Sequence, residues 1–474
     1  MSAAATALAT IVAIVAIGTT VGFVAGARVR MDLEQWTVGG RGFGVVLVFL
    51  LMAGEVYTTF AFLGASGWAY SRGGPTLYVL AYLTLAYVVS FFVLPQLWEV
   101  GRRHGLQTQA DFFRVRYGNR WLAGFVCIVG IASFVPYLQL QITGIGIIAS
   151  VASYGDIGRT PAMAVAVALL VAFVFASGVR AVAWVSVVKD ALMVFAALAI
   201  GIGVPLIHFG GIAPMFAALV HTHSAHLTMP GATPNLGHGW FISTVLLTSL
   251  GFYMWPHAFG AAFTARSADT LRRNAVVMPL YTLTLAFIFF AGFAAVLIVP
   301  GLGNGDLAML TVVRQSFPAW FLGVVGGAGA LTAMVPASIF ILTAATLFAK
   351  NLYRPLFAPQ MSDPQVARLA RAMVVVIGLI SLTLAIYSST TLVSLLLTGY
   401  AGVTQFFPGV VLGLYSRRVT APAVFAGMIV GVVTAVSLML SHHDPLFGVS
   451  AGFLALCVNF LVTISTMLLT RRPT

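Results

Sequence analysis

Apolar residues run along this chain in long unbroken stretches parted by short polar segments. Thirteen stretches stand out, at roughly 5–27, 44–64, 74–96, 121–149, 161–178, 183–206, 240–264, 274–300, 319–348, 370–388, 390–414, 421–441 and 447–469. Most approach or exceed the ~20 residues an α-helix needs to cross a hydrocarbon core. Because the runs are continuous, a strand barrel, whose segments alternate, is excluded. The pattern predicts an all-α integral membrane protein of thirteen transmembrane helices, forming one transmembrane domain over 1–474 with no soluble domain attached.

Composition agrees. Only 7% of the 474 residues are charged and 60% are hydrophobic, with a mean hydropathy of +1.02; a soluble domain carries about 25% charged residues. The net charge of +13 is spread over many short loops, so no nucleic-acid partner is expected. Its distribution orients the chain instead. With the N-terminus outside and the C-terminus in the cytoplasm, 20 of the 24 basic residues fall on the cytoplasmic side, from Arg28 and Arg30 to Arg471 and Arg472. Only Arg72, Arg159 and Arg314 lie opposite, and Lys189 sits inside a span. The long loop at about 207–239 carries His208, His221, His223, His226 and His238 but no carboxylate or thiol to complete a metal site. Cys127 and Cys457 fall in apolar runs and read as buried thiols.

The few charges inside spans are the informative residues. Each costs about 2.5–3.5 kcal/mol to insert, so each marks candidate machinery. Glu55 lies ~16 Å into span 2, near the bilayer centre, beside Gly54 and followed by Tyr57, Thr58 and Thr59. It is either a protonated side chain bonded within the bundle or a proton site. Lys189 is one of two lysines, ~9 Å from the cytoplasmic boundary. It either snorkels to the interface or turns inward to pair with Glu55 or fill a cation site. Asp190, adjacent to it, is expected on a different part of the helix surface, its partner unnamed.

Span 7 contains Tyr253-Met-Trp-Pro256-His257, where the proline removes a backbone donor and interrupts the helix. Gly54 weakens span 2 in the same way. Two interrupted helices about 200 residues apart, each opening a group of spans, fit an inverted-repeat transporter in which half-helix ends meet at the midplane. Repeat 1 would be 44–206 and repeat 2 would be 240–414, with 5–27 and 421–469 added at the ends. His257 is either a packed imidazole or a ligand. Gln139, Gln141 and Gln405 either bond between helices or face substrate.

At these motifs the chain resembles the sodium:solute symporter family, most of all its bacterial monocarboxylate permease branch. The resemblance rests on Trp36-Thr-Val-Gly-Gly-Arg41, Ala53-Gly-Glu55-Val-Tyr57-Thr-Thr59, Phe134-Val-Pro136-Tyr137-Leu-Gln139-Leu-Gln141, Ser177-Gly-Val-Arg180, Lys189-Asp190, the span 7 motif and Met334-Val335-Pro336-Ala337. It implies the leucine-transporter fold, with substrate held among spans 2, 4, 7, 9 and 11. It also implies a sodium site, whose backbone carbonyl positions here are Gly54, Tyr57 and Thr332. The family's two hydroxyl ligands fall on Val335 and Pro336, which have no side-chain oxygen to offer a hard cation, and a nearby family aspartate is Ser186. The sodium site therefore reads as degraded, and proton coupling is expected, with Glu55 as the proton site and Lys189 in place of the missing cation.

The branch implies a short monocarboxylate substrate such as lactate or pyruvate. The residues placed to bind it are Tyr57, Thr58, Thr59, Gln139, Gln141, Tyr253, His257 and Gln405, with half-helix N-termini favouring a carboxylate. The competing expectation is a sodium-coupled symporter of an amino acid, sugar or urea. No paired carboxylates or His/Cys cluster point to an enzyme, and no cofactor is expected. A channel would need a continuous polar lining. The expected location is the bacterial plasma membrane.

Overall fold

A computed structural model describes residues 2–26, 39–176 and 179–470. Arg28, Arg30, Trp36 to Val38, Ser177, Gly178, Arg471, Arg472 and the Arg180 side chain lie outside the described residues. The described chain is all helical and carries no strand. In order the helices are α1 (Ala3–Gly26), α2 (Val45–Val56), α3 (Ala65–Ser71), α4 (Tyr78–His104), α5 (Gln109–Tyr117), α6 (Arg120–Ala152), α7 (Arg159–Ala176), α8 (Val179–Phe209), α9 (Ile212–His223), α10 (His238–Gly251) and α11 (Pro256–Ala261). There follow α12 (Ala268–Thr282), α13 (Leu285–Ile298), α14 (Ala308–Ser316), α15 (Ala319–Thr346), α16 (Arg354–Phe357), α17 (Asp363–Tyr387), α18 (Leu392–Val403), α19 (Phe407–Tyr415), α20 (Ala421–Leu440) and α21 (Ala451–Leu469).

Among the described residues, ten helical stretches are long and apolar enough to cross a membrane, and the pair α2 and α3, bent by 50°, makes an eleventh. The remaining two of the thirteen expected spans differ in a way the sequence only partly anticipates. Residues 161–178 correspond to α7, whose apolar part is short. Residues 240–264 are divided into α10 and α11 by an irregular segment at Phe252–Trp255.

Small residues set the packing, as expected where lipid tails compete with apolar side chains and close backbone approach decides association. Gly323, Gly326 and Gly327 of α15 lie against Ala7, Thr10, Ile11 and Ile14 of α1, and a Cβ at Gly323 would fall 2.6 Å from Thr10. The long helix α8 packs against α1, α2, α13 and α15. At the arginine-rich end, Phe43 bonds the segment after α11: its N–H donates to Thr264 (3.0 Å) and its carbonyl accepts from Arg266 (3.0 Å). The start of the first broken span is thereby tied to the end of the second. Cys127 is buried as expected, but Cys457 is exposed on α21, because that helix buries only one face.

Candidate functional site

Helix α2 stops at Val56 because Tyr57 turns extended (φ −84°, ψ 91°), and helix resumes only at Phe60–Gly64 as a π-helical turn before α3. Carbonyls upstream of such a break lose their i+4 partners and need others. Lys189 of α8 supplies two: its Nζ donates to the carbonyls of Gly54 (2.6 Å) and Tyr57 (3.0 Å). The ammonium is fully buried, so the lysine turns inward and does not snorkel. Gly54 allows this approach, since a Cβ there would lie 3.0 Å from Ser186 Oγ and 3.4 Å from Lys189 Nζ. The Gly54 and Tyr57 carbonyls are thus both taken up by one ammonium. Thr332 of α15 is buried, and its Oγ1 has no hydrogen-bond partner.

Asp190 corrects the sequence reading. Its Oδ1 lies 3.1 Å from Lys189 Nζ, so the neighbours in sequence are ion-paired. Adjacent residues leave the helix in different directions, but the four-carbon lysine stem swings its charge back across that angle. The Tyr281 phenol approaches the same carboxylate. Glu55, by contrast, makes no ion pair with Lys189; its Oε2 faces His257 Nε2 at 3.6 Å.

In span 7, Phe252–Met254 form a tight 3-10 turn, Trp255 is extended (φ −58°, ψ 129°) and Pro256 begins α11. The free carbonyl of Met254 accepts from Gln109 Nε2 at 2.8 Å, a bond from the buried start of α5. His257 sits in an aromatic box: its ring centroid is 4.4 Å from that of Phe340, which lies 4.1 Å from Tyr137, which lies 4.8 Å from Trp255. Across the first break, the Thr59 N–H donates to Gln141 Oε1 at 3.3 Å. Several buried polar atoms here lack partners: Glu55 Oε1, Thr59 Oγ1, Gln141 Nε2 and His257 Nδ1. Buried groups are normally paired, so a cluster of orphans at one place marks where a polar ligand or water belongs. Thr58 Oγ1 lies against the Tyr137 hydroxyl.

A cavity of about 40 Å³ opens beside Glu55 and His257, lined further by Leu51, Gln107, Thr108 and Thr346. At ~10–15 Å³ per water it holds a few waters. It points toward the arginine-rich end, where Lys350 Nζ donates to Gln107 Oε1 (2.7 Å) and Asp111 Oδ2 (3.1 Å). Asn351 donates to Asp111 Oδ1 (2.8 Å). Burial opposes the charge of Asp111, but Lys350, the Gln107 N–H and Asn351 together hold its carboxyl below the usual range.

The remaining expected ligands lie elsewhere. Gln139 lines an outward, largely apolar groove of about 690 Å³ with Phe125, Pro136 and Met439. Gln405 bonds Asn459, whose Nδ2 donates to its carbonyl (2.8 Å) and to its Oε1 (3.1 Å), gluing α21 to the bundle. Tyr253 points toward Ser90 of α4, and the Tyr57 hydroxyl bonds Thr284 in the α12–α13 turn, so Tyr57 serves the break through its carbonyl alone. Gln139 and Gln141, two positions apart, stand about 200° apart around α6, so only Gln141 faces the break. The sequence carried no signal for Gln109 or Asn459, whose partners are more than 50 residues away. Asp111 closes a capping box with Thr108 at the start of α5, a spacing visible in the sequence, but its bonds to Lys350 and Asn351 are long-range.

Two helices each broken once, with an ammonium on one break and orphaned polar atoms beside both, match the arrangement of an alternating-access carrier. Residues 36–431 match the model of the sodium:solute symporter family, and the chain belongs to that family. It is 45% identical to the uncharacterised symporter YhjB of Bacillus subtilis, over 93% of this chain and 92% of that one. It is 28% identical to a monocarboxylate transport permease protein of Rhizobium johnstonii, over 97% and 96%. Among solved structures, a Na+-coupled sialic acid symporter in a substrate-bound outward-open state superposes with a TM-score of 0.79 at 16% identity, covering 98% of this chain and 97% of that one. The fold is therefore leucine-transporter-like, and the protein is a multi-pass membrane transporter, not an enzyme.

Proposed function

We propose that this symporter imports a short monocarboxylate such as lactate or pyruvate, coupled to protons, across the bacterial plasma membrane with its N-terminus outside and C-terminus in the cytoplasm. Thirteen spans, with repeats over 44–206 and 240–414 and additions at 5–27 and 421–469, complete the proposal. The observation that carries the coupling is the Lys189 ammonium on the Gly54 and Tyr57 carbonyls, which leaves no need for sodium there. Val335 and Pro336 add no side-chain oxygen. Glu55 is the proton site: it is buried, faces His257 and borders the small cavity toward the arginine-rich end, a short water path for proton release. For substrate, the orphaned Gln141 amide, Thr59 hydroxyl and His257 ring nitrogen suit a carboxylate, and the Tyr137, Trp255 and Phe340 rings wall off space for a small apolar remainder. The name of the Rhizobium relative supports the same class.

Purified protein in liposomes with imposed pH or sodium gradients tests both halves. An inward proton gradient should drive labelled lactate uptake, and Glu55→Gln should abolish that while leaving lactate counterflow. Sodium-driven uptake indifferent to pH overturns proton coupling. Counterflow of an amino acid, sugar or urea in place of lactate overturns the substrate.

A further inference from the structure

With the ammonium ignored, oxygen atoms converge on the position of Lys189 Nζ. The carbonyls of Gly54 and Tyr57 stand 2.6 and 3.0 Å away and Asp190 Oδ1 stands 3.1 Å away. Ser186 Oγ is beside Gly54, close enough to meet a Cβ there at 3.0 Å, and donates its own proton to the Val182 carbonyl, leaving its lone pairs free. The two carbonyls and the carboxylate on that position are the hard oxygen donors that alkali and alkaline-earth cations take, with the Ser186 hydroxyl beside Gly54 as a further oxygen close by. A sodium ion does not fit beside the lysine, because the ammonium already neutralises Asp190 and would repel a second cation at contact distance.

We infer that Lys189 is a tethered cation covering an otherwise intact monovalent-cation site in which Asp190 is the counter-ion. Charge balance explains why the two residues occur together. Removing the ammonium alone leaves two buried carbonyls without partners and a buried carboxylate with only the Tyr281 phenol beside it, a costly state that strongly favours capture of a cation. Asp190 is then the ligand that compensates for Val335 and Pro336, delivering from α8 the oxygen that α15 does not supply. This inference rests on the part of the reading above that seats Lys189 at the family's cation position; it is independent of the substrate and of Glu55.

The test is sodium binding to Lys189→Ala in detergent, against wild type and Lys189→Ala/Asp190→Asn. Replacing choline with sodium at constant ionic strength should raise the melting temperature of Lys189→Ala by about 3 °C or more, saturably. Labelled sodium should bind with a stoichiometry near one. Wild type and the double variant should respond by less than about 1 °C, the first because the site is filled and the second because its counter-ion is gone. If Lys189→Ala is monodisperse only in sodium, that too is the expected result. A monodisperse Lys189→Ala without sodium response, an equal response in wild type, or aggregation of Lys189→Ala in both salts while Lys189→Met/Asp190→Asn stays monodisperse would each overturn it. Failure of wild-type lactate counterflow bears on the substrate, whereas absence of sodium binding by Lys189→Ala bears on this site.

Discussion

Helix α6 meets the first break at a point with no spare room, which makes Gly144→Ala a sharp test of the site's geometry. A Cβ on Gly144 would fall 1.9 Å from Thr59 Cγ2, 3.0 Å from its Cβ and 3.2 Å from its Oγ1. The first distance is about 1.5 Å short of the 3.4 Å at which ordinary contact begins. Thr59 cannot retreat freely, because its N–H is held by Gln141 Oε1 at 3.3 Å, one turn away on the same α6. Moving α6 outward would therefore relieve the clash and break that bond together. Overpacking costs about 1–3 kcal/mol, and stranding a buried N–H costs a similar ~1–3 kcal/mol. Thr59→Ser deletes the offending methyl and keeps the hydroxyl; alone it should cost about 1 kcal/mol, as for one buried methyl elsewhere. Combined with Gly144→Ala, the new methyl occupies the vacated space, so the double variant should be more stable than the sum of the singles by at least ~1 kcal/mol. Thermal unfolding of the purified variants measures the cycle, and lactate counterflow should follow it. A Gly144→Ala protein as stable as wild type, or a strictly additive cycle, would refute the close approach of α6 to the break.

Two further outcomes follow from the same geometry. Gln141→Met should weaken lactate binding about tenfold, roughly 1.4 kcal/mol, while Gln139→Met should leave it unchanged, read by ligand-dependent thermal shift; equal effects would move the pocket to the outward groove. Outside the spans, burial pushes the Asp306 carboxyl up to about 7, against the pull of the Leu392 N–H and Arg159. A raised native pKa means the folded state holds the proton more tightly than the unfolded one, so the stability it confers is full below pH ~4 and fades as pH rises to about 7, by up to ~4 kcal/mol. Wild-type melting temperature should fall between pH 5 and 7 and Asp306→Asn should flatten that slope; an identical slope in both would exclude Asp306 as its source.

Much of this was legible along the chain. Apolar run length announced a helical membrane protein, Pro256 marked the second break while the first fell at Tyr57, three residues past Gly54, and Glu55 and Lys189 stood out because a charge in hydrocarbon is costly unless the fold uses it. The absence of side-chain oxygen at Val335 and Pro336 was likewise plain, since it is a property of residue type alone. What the sequence could not decide was pairing. Glu55 and Lys189 both stand out along the chain, yet Lys189 turns to the carbonyls and Asp190, and Glu55 to His257. Gln139, Gln405 and Tyr253 carry the same chemistry as Gln141 and His257, but rotation about their helices aims them at a groove, at Asn459 and at α4. Membrane insertion depends on the length and polarity of one segment, which a linear pattern records. A buried side chain's partner depends on which face of which other helix arrives opposite it, and only tertiary packing sets that.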